Sequence, residues 1–295
     1  MGTLEPGITL RGGRHARRRR VINRLAESGA TIAALAAVAV LGIVVWSVAK
    51  RGASEISWGF LTKDLPLYGT PGGGIAPLIV GSAILVGLAT AIALPLGVCI
   101  AVFLQEFASA RLRAPIQLAI DLMNGLPSII IGVFVYGLFV YGHPQHGWAA
   151  SIGLSIVMLP LITRSTQEVL RLVPASHREG ALALGASRWR TVLGVVLPSA
   201  LGGIVTGTVI SVARAIGETA PLLFVTSIFG TAITWNPNDA LPNFPVQIFI
   251  WSESDDPLDH KRAWASALVL LIFVLLTSLI ARLVLARTRK KLSGS

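Results

Sequence analysis

The sequence predicts an all-α protein that crosses a membrane six times. Three observations predict it: composition, a series of long apolar runs, and a lopsided placement of Lys and Arg. Of the 295 residues, 53% are hydrophobic and only 13% charged, and the mean hydropathy is +0.72. That balance excludes a soluble globular domain. Apolar runs lie at roughly 28–49, 77–103, 118–141, 149–170, 199–229 and 264–286, each long enough for a helix to cross a bilayer of about 30 Å. Alternate connections then carry unequal charge. Eighteen Lys and Arg fall on the side of the two termini and five on the other, with Arg164 and Arg214 inside spans. Cytoplasmic loops are the basic ones, so both termini and the 171–197 loop are expected in the cytoplasm. The expected organisation is a basic tail (1–27), a transmembrane domain (28–286) and a second basic tail (287–295). Within the domain lie a cytoplasmic loop (174–198) and an external loop (230–263).

Each element follows from its residues. Gly29 to Ala49 carries no charge. A secretory signal ending at Ser47-Val48-Ala49 is the alternative, but its apolar core would be only about 7–15 residues. The net charge of +11 does not indicate nucleic acid. The basic residues flank spans, where they set topology and meet anionic membrane lipid. The second run contains Pro95 and Cys99, the latter expected as a small packing residue. A single Cys rules out an internal disulfide. The third contains Asn124-Gly125-Leu126-Pro127-Ser128, the strongest candidate for a broken helix, because Pro removes a helical donor and clashes with the preceding turn. Pro160 and Pro221 mark the fourth and fifth. Gly203 and Gly207 permit close helix packing. His143 and His146 flank an external turn and are two few to hold a metal. The external loop contains Phe244–Trp251, too short to cross. It reads either as a docking surface or gate for an external protein, or as an interfacial anchor.

Arg164 and Arg214 each precede a Glu by four residues, Glu168 and Glu218, a spacing that puts both on one helix face. A charge at mid-membrane costs about 2.5–3.5 kcal/mol on insertion scales and lines a bundle interior or a path. Arg offers a permanent charge and a fork of donors that matches oxyanions. Arg164, Arg214 and Glu218 are therefore candidate path residues. Ion pairs that only hold helices together are the competing reading.

The loop after the fourth run is the most specific feature. Pro174 blocks the preceding helix. Ser176 and Glu179 have capping-box spacing, Gly185 can take the left-handed turn that ends a short helix, and Ser187 can cap a second one. There Trp189, Val192, Leu193 and Val196 form one apolar stripe, and Pro198 suits the first turn of the next span. Glu179-Gly180-Ala181, three residues, Gly185, nine residues, then Val195-Val196-Leu197-Pro198 resembles the coupling loop that ATP-driven importer permeases present to their ATPase. Gly180 and Val195 stand where that pattern has Ala and Ile.

With Gly72-Gly73-Gly74-Ile75, Gly81-Ser82 and Ala213-Arg214-Ala215-Ile216-Gly217-Glu218-Thr219-Ala220-Pro221, the resemblance narrows to the PstA family of phosphate ABC importer permeases, over about residues 70–285. The resemblance implies a type I importer fold with six helices. It implies pairing with a homologous permease (PstC), a dimer of the ATPase PstB inside, and a phosphate-binding protein (PstS) outside. It also implies that Arg164, Arg214 and Glu218 match charged path positions. No cofactor is expected on this chain, Mg-ATP being bound by the ATPase. A permease for another oxyanion or small solute is the alternative. An enzyme is not expected, since no HExxH, GxSxG or Walker A sequence is present.

Overall fold

The computed structural model describes the backbone of residues 14–67, 70–226 and 230–292. The side chains of Arg14, Arg17, Arg20, Arg282, Arg287, Arg289, Lys290 and Lys291 lie outside the described residues, as does Arg11 altogether, whereas Arg18, Arg19 and Arg24 are exposed on the first helix. The described residues are helical, with no strand among them. The chain divides into two compact units, residues 1–50 and 51–295. In the first, α1 runs as one helix over Arg14–Gly52 and contains a candidate span from Val21.

In the second unit, a short α2 (Trp58–Thr62) precedes α3 (Ala76–Val102). Then come α4 (Ala110–Gly125), α5 (Ser128–Val135) and α6 (Gly147–Leu172). α7 (Ala175–Ala183) and α8 (Arg188–Thr191) form the connection to α9 (Leu197–Ile216). α10 (Phe244–Ser252) and α11 (Pro257–Leu292) complete the unit. Among the described residues, five helices are long and apolar enough to cross a membrane, and the α4–α5 pair supplies a sixth crossing if it is one bent span.

α6 is the most buried of these spans and the axis of the unit. Leu154, Met158 and Ile162 are fully enclosed, against Leu85, Ala89 and Ala93 of α3 and Ala215 and Ile216 of α9. Small residues bring the helices together. A Cβ on Gly97 of α3 would stand 2.9 Å from the Ile162 side chain, and Cβ atoms on Gly203 and Gly207 would overlap Val169 and Ser165 of α6. Antiparallel α6 and α9 are thereby locked in depth.

The third run breaks where Asn124 to Ser128 predicted: α4 ends at Gly125, α5 starts at Ser128, and their axes meet at 98°. Other expectations change. Pro95 and Pro160, by contrast, lie inside helices that continue through them. The fifth helix ends at Ile216, not near 229, because the chain turns at Gly217 and passes through Pro221 into a short 3-10 turn; residues 227–229 lie outside the described residues. Cys99 is exposed on α3 rather than packed. His146 caps α6, its Nδ1 accepting from the Ala149 N–H at 3.1 Å. α10 is built into the core, with Phe244, Val246 and Trp251 buried. The Phe244 N–H donates to Ser82 Oγ at 3.0 Å, and Asn243 both caps α10 and donates to Thr226. Asp259 of the 253–259 acidic cluster is buried against Arg262 at 2.8 Å, and Arg262 also donates to the carbonyls of Thr70 and Gly72.

Candidate functional site

Two groups of polar residues stand out, the 174–198 connection and the charges within the spans.

Pro174 is the N-terminal flank of α7, so that helix starts two residues before the expected capping box takes effect, and Ser176 makes no capping bond. With Pro174 at the N-cap, Ser176 already lies inside the first turn, two residues too late to cap. Glu179 and Gly180 are exposed on α7 and Ala181 is half-buried. A Cβ on Gly180 would meet nothing within 4 Å, so the Ala of the importer pattern would fit here. Gly185 has φ +81°, the left-handed conformation that lets the chain reverse after α7. Ser187 Oγ then accepts from the Arg190 N–H at 3.4 Å and caps α8.

α8 does not stop before the next span. Residues Arg188–Ile216 form one helix, passing through a π-helical turn at Val192–Val196 just before Pro198. Pro198 lacks the N–H that would bond Gly194, and the wider turn accommodates its ring. The wider turn also rotates the expected stripe. Val192 and Val196 are buried, whereas Trp189 and Leu193 are exposed. Together with Leu184, which is 91% exposed, and Leu182, they form an apolar surface around Glu179 and Gly185.

Arg178, inside the sequence motif but not singled out by it, ties this element to the bundle. Its Nε and Nη2 donate to Glu106 Oε1 at 3.1 and 2.9 Å. Nη1 and Nη2 also donate to the carbonyls of Val173 (2.7 Å) and Leu170 (2.8 Å). Both carbonyls lie at the C-terminal end of α6, where helical donors run out; that of Leu170 also accepts from the Val173 N–H at 3.4 Å. Glu106 belongs to a π-helical turn, Phe103–Phe107, that extends α3. The adjacent Phe107 ring lies 5.5 Å from Trp189. One guanidinium thus joins α3, α6 and α7.

Among the span charges, Arg214 Nε donates to Glu218 Oε1 at 3.3 Å. Arg214 is 61% exposed and Glu218 15%. They straddle the turn at Gly217, where α9 ends beside α5, and a Cβ on Gly132 of α5 would overlap Pro221. Arg164 behaves differently from expectation. It pairs with Asp121 of α4, not with Glu168, which is exposed. The reason is direction: the α4 face carrying Asp121 lies against α6, while Glu168 turns outward. Asn124, Gly125 and Pro127 are exposed at the α4–α5 bend, three to six residues beyond Asp121. Depth separates the two arginines. Gly207 packs on Ser165, so Arg214 lies six residues, about 9 Å, further from the α7 end than Arg164.

Residues 93–290 match the family model of the binding-protein-dependent transport system inner membrane component. The chain is 35% identical over 249 residues to the phosphate transport system permease protein PstA of Yersinia pestis, covering 83% of this chain and 84% of that protein. It is 37% identical over 278 residues to PstA of Xylella fastidiosa, covering 92% and 96%. The PstA 1 protein of Mycobacterium tuberculosis is 31% identical over 282 residues, covering 93% and 92%. Among solved structures, a chain of the inward-facing MetNI methionine ABC transporter superposes with TM-score 0.58 at 19% identity, covering 73% of this chain and 94% of that one. A chain of a bacterial alginate ABC transporter gives 0.61 at 15% identity, covering 90% and 93%. At such identities the likeness is one of fold, that of a type I ABC importer permease.

Proposed function

Because the chain belongs to the family of binding-protein-dependent transport system inner membrane components, and to the PstA permeases within it, we propose that it forms half of the path of an ATP-driven phosphate importer. The observation that carries this reading is its near full-length similarity to permeases named for phosphate transport. The site geometry supports it. A permanent guanidinium, largely exposed at the end of a span, is what a path for a doubly charged oxyanion requires.

In this reading both termini and α7 face the cytoplasm. A PstB ATPase dimer docks on the surface formed by Glu179, Gly180, Ala181, Gly185, Leu184 and Trp189, and carries the Mg-ATP, so that this chain hydrolyses nothing itself and binds no cofactor. PstC supplies the other half of the path. PstS delivers phosphate outside, to the end where Arg214 and Glu218 lie. Closure of the ATPase dimer moves α7 and α8. The uninterrupted helix through α9 carries that motion to Arg214, and the path opens outward to accept phosphate. Arg214 draws the anion, while Glu218 holds the guanidinium in place and neutralises it when no anion is bound. Arg164 receives the anion nearer the docking end, and the bend at Asn124, Gly125 and Pro127 lets α4 and α5 move separately.

ATP-dependent uptake of labelled phosphate, with sulfate and molybdate as competitors, tests the reading in vesicles holding all four subunits. Phosphate uptake that disappears when this chain is omitted is the expected result. Uptake of a competitor instead would replace the substrate. No uptake by an assembled complex would remove the function. Arg214→Ala is expected to lower phosphate uptake about tenfold or more, the scale of losing one charge-assisted hydrogen bond, without loss of assembly. Unchanged uptake would leave Arg214 a structural residue.

A further inference from the structure

We propose that Asp121 is a displaceable gate carboxylate, occupying on Arg164 the place that the transported anion takes during passage. The proposal rests on the reading of the chain as a phosphate permease.

Asp121 and Arg164 come from different helices and meet within a span, yet each side chain keeps 42% of its surface exposed. An enclosed pair would leave a passing anion no access to the guanidinium. Here it borders open space. The guanidinium is not saturated: Arg164 Nε is buried and has no hydrogen-bond partner among the described residues. The carboxylate is held by another polar group, since Gln117 Nε2 donates to Asp121 Oδ1 at 2.9 Å. Gln117 in turn accepts from the buried Gln167 at 3.0 Å. Four polar side chains therefore form one strip between α4 and α6. Leu118 and Leu122, on the rest of α4, are exposed and apolar.

The chemistry of exchange is balanced. A carboxylate and a phosphate both offer paired oxygens to a guanidinium fork. Asp121 neutralises Arg164 when the path is empty, and the passing anion does so when it arrives. No bare charge stands at membrane depth at either stage, which removes the main cost of carrying Arg there. Position gives the exchange a consequence. Arg164 lies eight residues, about 12 Å, before the end of α6 that Arg178 clamps. Asp121 lies four residues before the end of α4 at the 98° bend. An anion that displaces Asp121 frees α4 from α6 beside its own hinge, on the docking side of Arg214. Asp121 thus closes the inner end of the path until the anion releases it.

The test uses vesicles holding the complete complex, preloaded with labelled phosphate and given no ATP. The wild-type complex is expected to retain phosphate. Asp121→Asn, which keeps the shape and removes the charge, is expected to raise ATP-independent efflux about tenfold, and Asp121→Glu to return it to the wild-type level. A merely structural tie does not predict that order. An assembled Asp121→Asn complex as tight as wild type overturns the proposal. So does one that leaks equally with Glu. If the Asn variant does not assemble, the Asp121→Ala, Arg164→Ala double variant, which leaves no unpaired charge, is read the same way: leakage supports the gate and tightness overturns it. ATP-dependent uptake by the wild-type vesicles separates the two readings. If it fails, the phosphate reading fails; if it succeeds while Asp121→Asn stays tight, only the gate does.

Discussion

Replacing Arg178 with Met keeps the side chain's length and removes its charge and all its donors. Four hydrogen bonds are lost, two to Glu106 and one each to the carbonyls of Leu170 and Val173. Removing one partner of a fully buried ion pair costs about 3–5 kcal/mol, because the other charge is left uncompensated. Arg178 and Glu106 retain 24% and 14% exposure, so water offsets part of that loss and about 2–3 kcal/mol is expected. That corresponds to a shift of roughly 30- to 150-fold in the population of the clamped arrangement. The expected phenotype is uncoupling: the four-subunit complex assembles and turns over ATP, while phosphate moved per ATP falls about tenfold or more. The assay is the ratio of labelled uptake to phosphate release from ATP in the same vesicles. Arg178→Met combined with Glu106→Leu should recover stability relative to Arg178→Met alone, because no unpaired carboxylate remains. An unchanged transport-to-hydrolysis ratio in the single variant would refute the clamp as a link between docking and transport.

At Gly185, φ +81° predicts an ordered series. Asn should be nearly tolerated, Ala should weaken docking, and Val should weaken it most, by about 1–2 kcal/mol. Retention of the ATPase on the purified permease pair reads the order, and equal retention by all three would contradict the turn's role. Gly180→Ala meets no neighbour and sits in a helix, where Ala gains about 0.5–1 kcal/mol over Gly. Uptake should be unchanged and thermal stability equal or higher; a loss of uptake would mean that the ATPase backbone approaches this position closely. Gly81→Ala would drive a Cβ into the Pro242 carbonyl. The external segment before α10 should become sensitive to protease in right-side-out membrane preparations, and wild-type resistance would show that the contact is easily relaxed.

What could be foreseen was local. The Gly185 turn, the Ser187 cap and the Arg214–Glu218 pair all join residues within four positions, where spacing determines who meets whom. The same rule failed for Arg164 because a helix face also meets other helices. Its partner Asp121 is 43 residues away, and Arg178 finds Glu106 at 72. No periodicity encodes such meetings. The bend near Pro127 was legible, since Asn, Gly and Pro coincide there. The end of α9 at Ile216 was not, because apolar residues continue past it and hydropathy does not distinguish a helix from an apolar turn. Nor did composition reveal that Phe244, Val246 and Trp251 are buried, a fact that depends on Ser82 and Thr226 waiting to receive the start of α10.

The unbroken helix from Arg188 to Ile216 has a consequence for how such a chain can change. A rigid helix transmits rotation as well as translation, and each residue advances it by about 100°. One residue inserted between Pro198 and Ala213 would leave the docking surface and Arg214 intact in composition. It would swing the guanidinium about a quarter-turn around the bundle and displace it by about 1.5 Å. Input and output ends would then be out of phase, each competent and neither addressing the other. On the proposed reading, the number of residues between them is a working part of the machine, as the tooth count is in a gear train. An insertion at a turn outside that helix, such as 236–239, carries no such requirement.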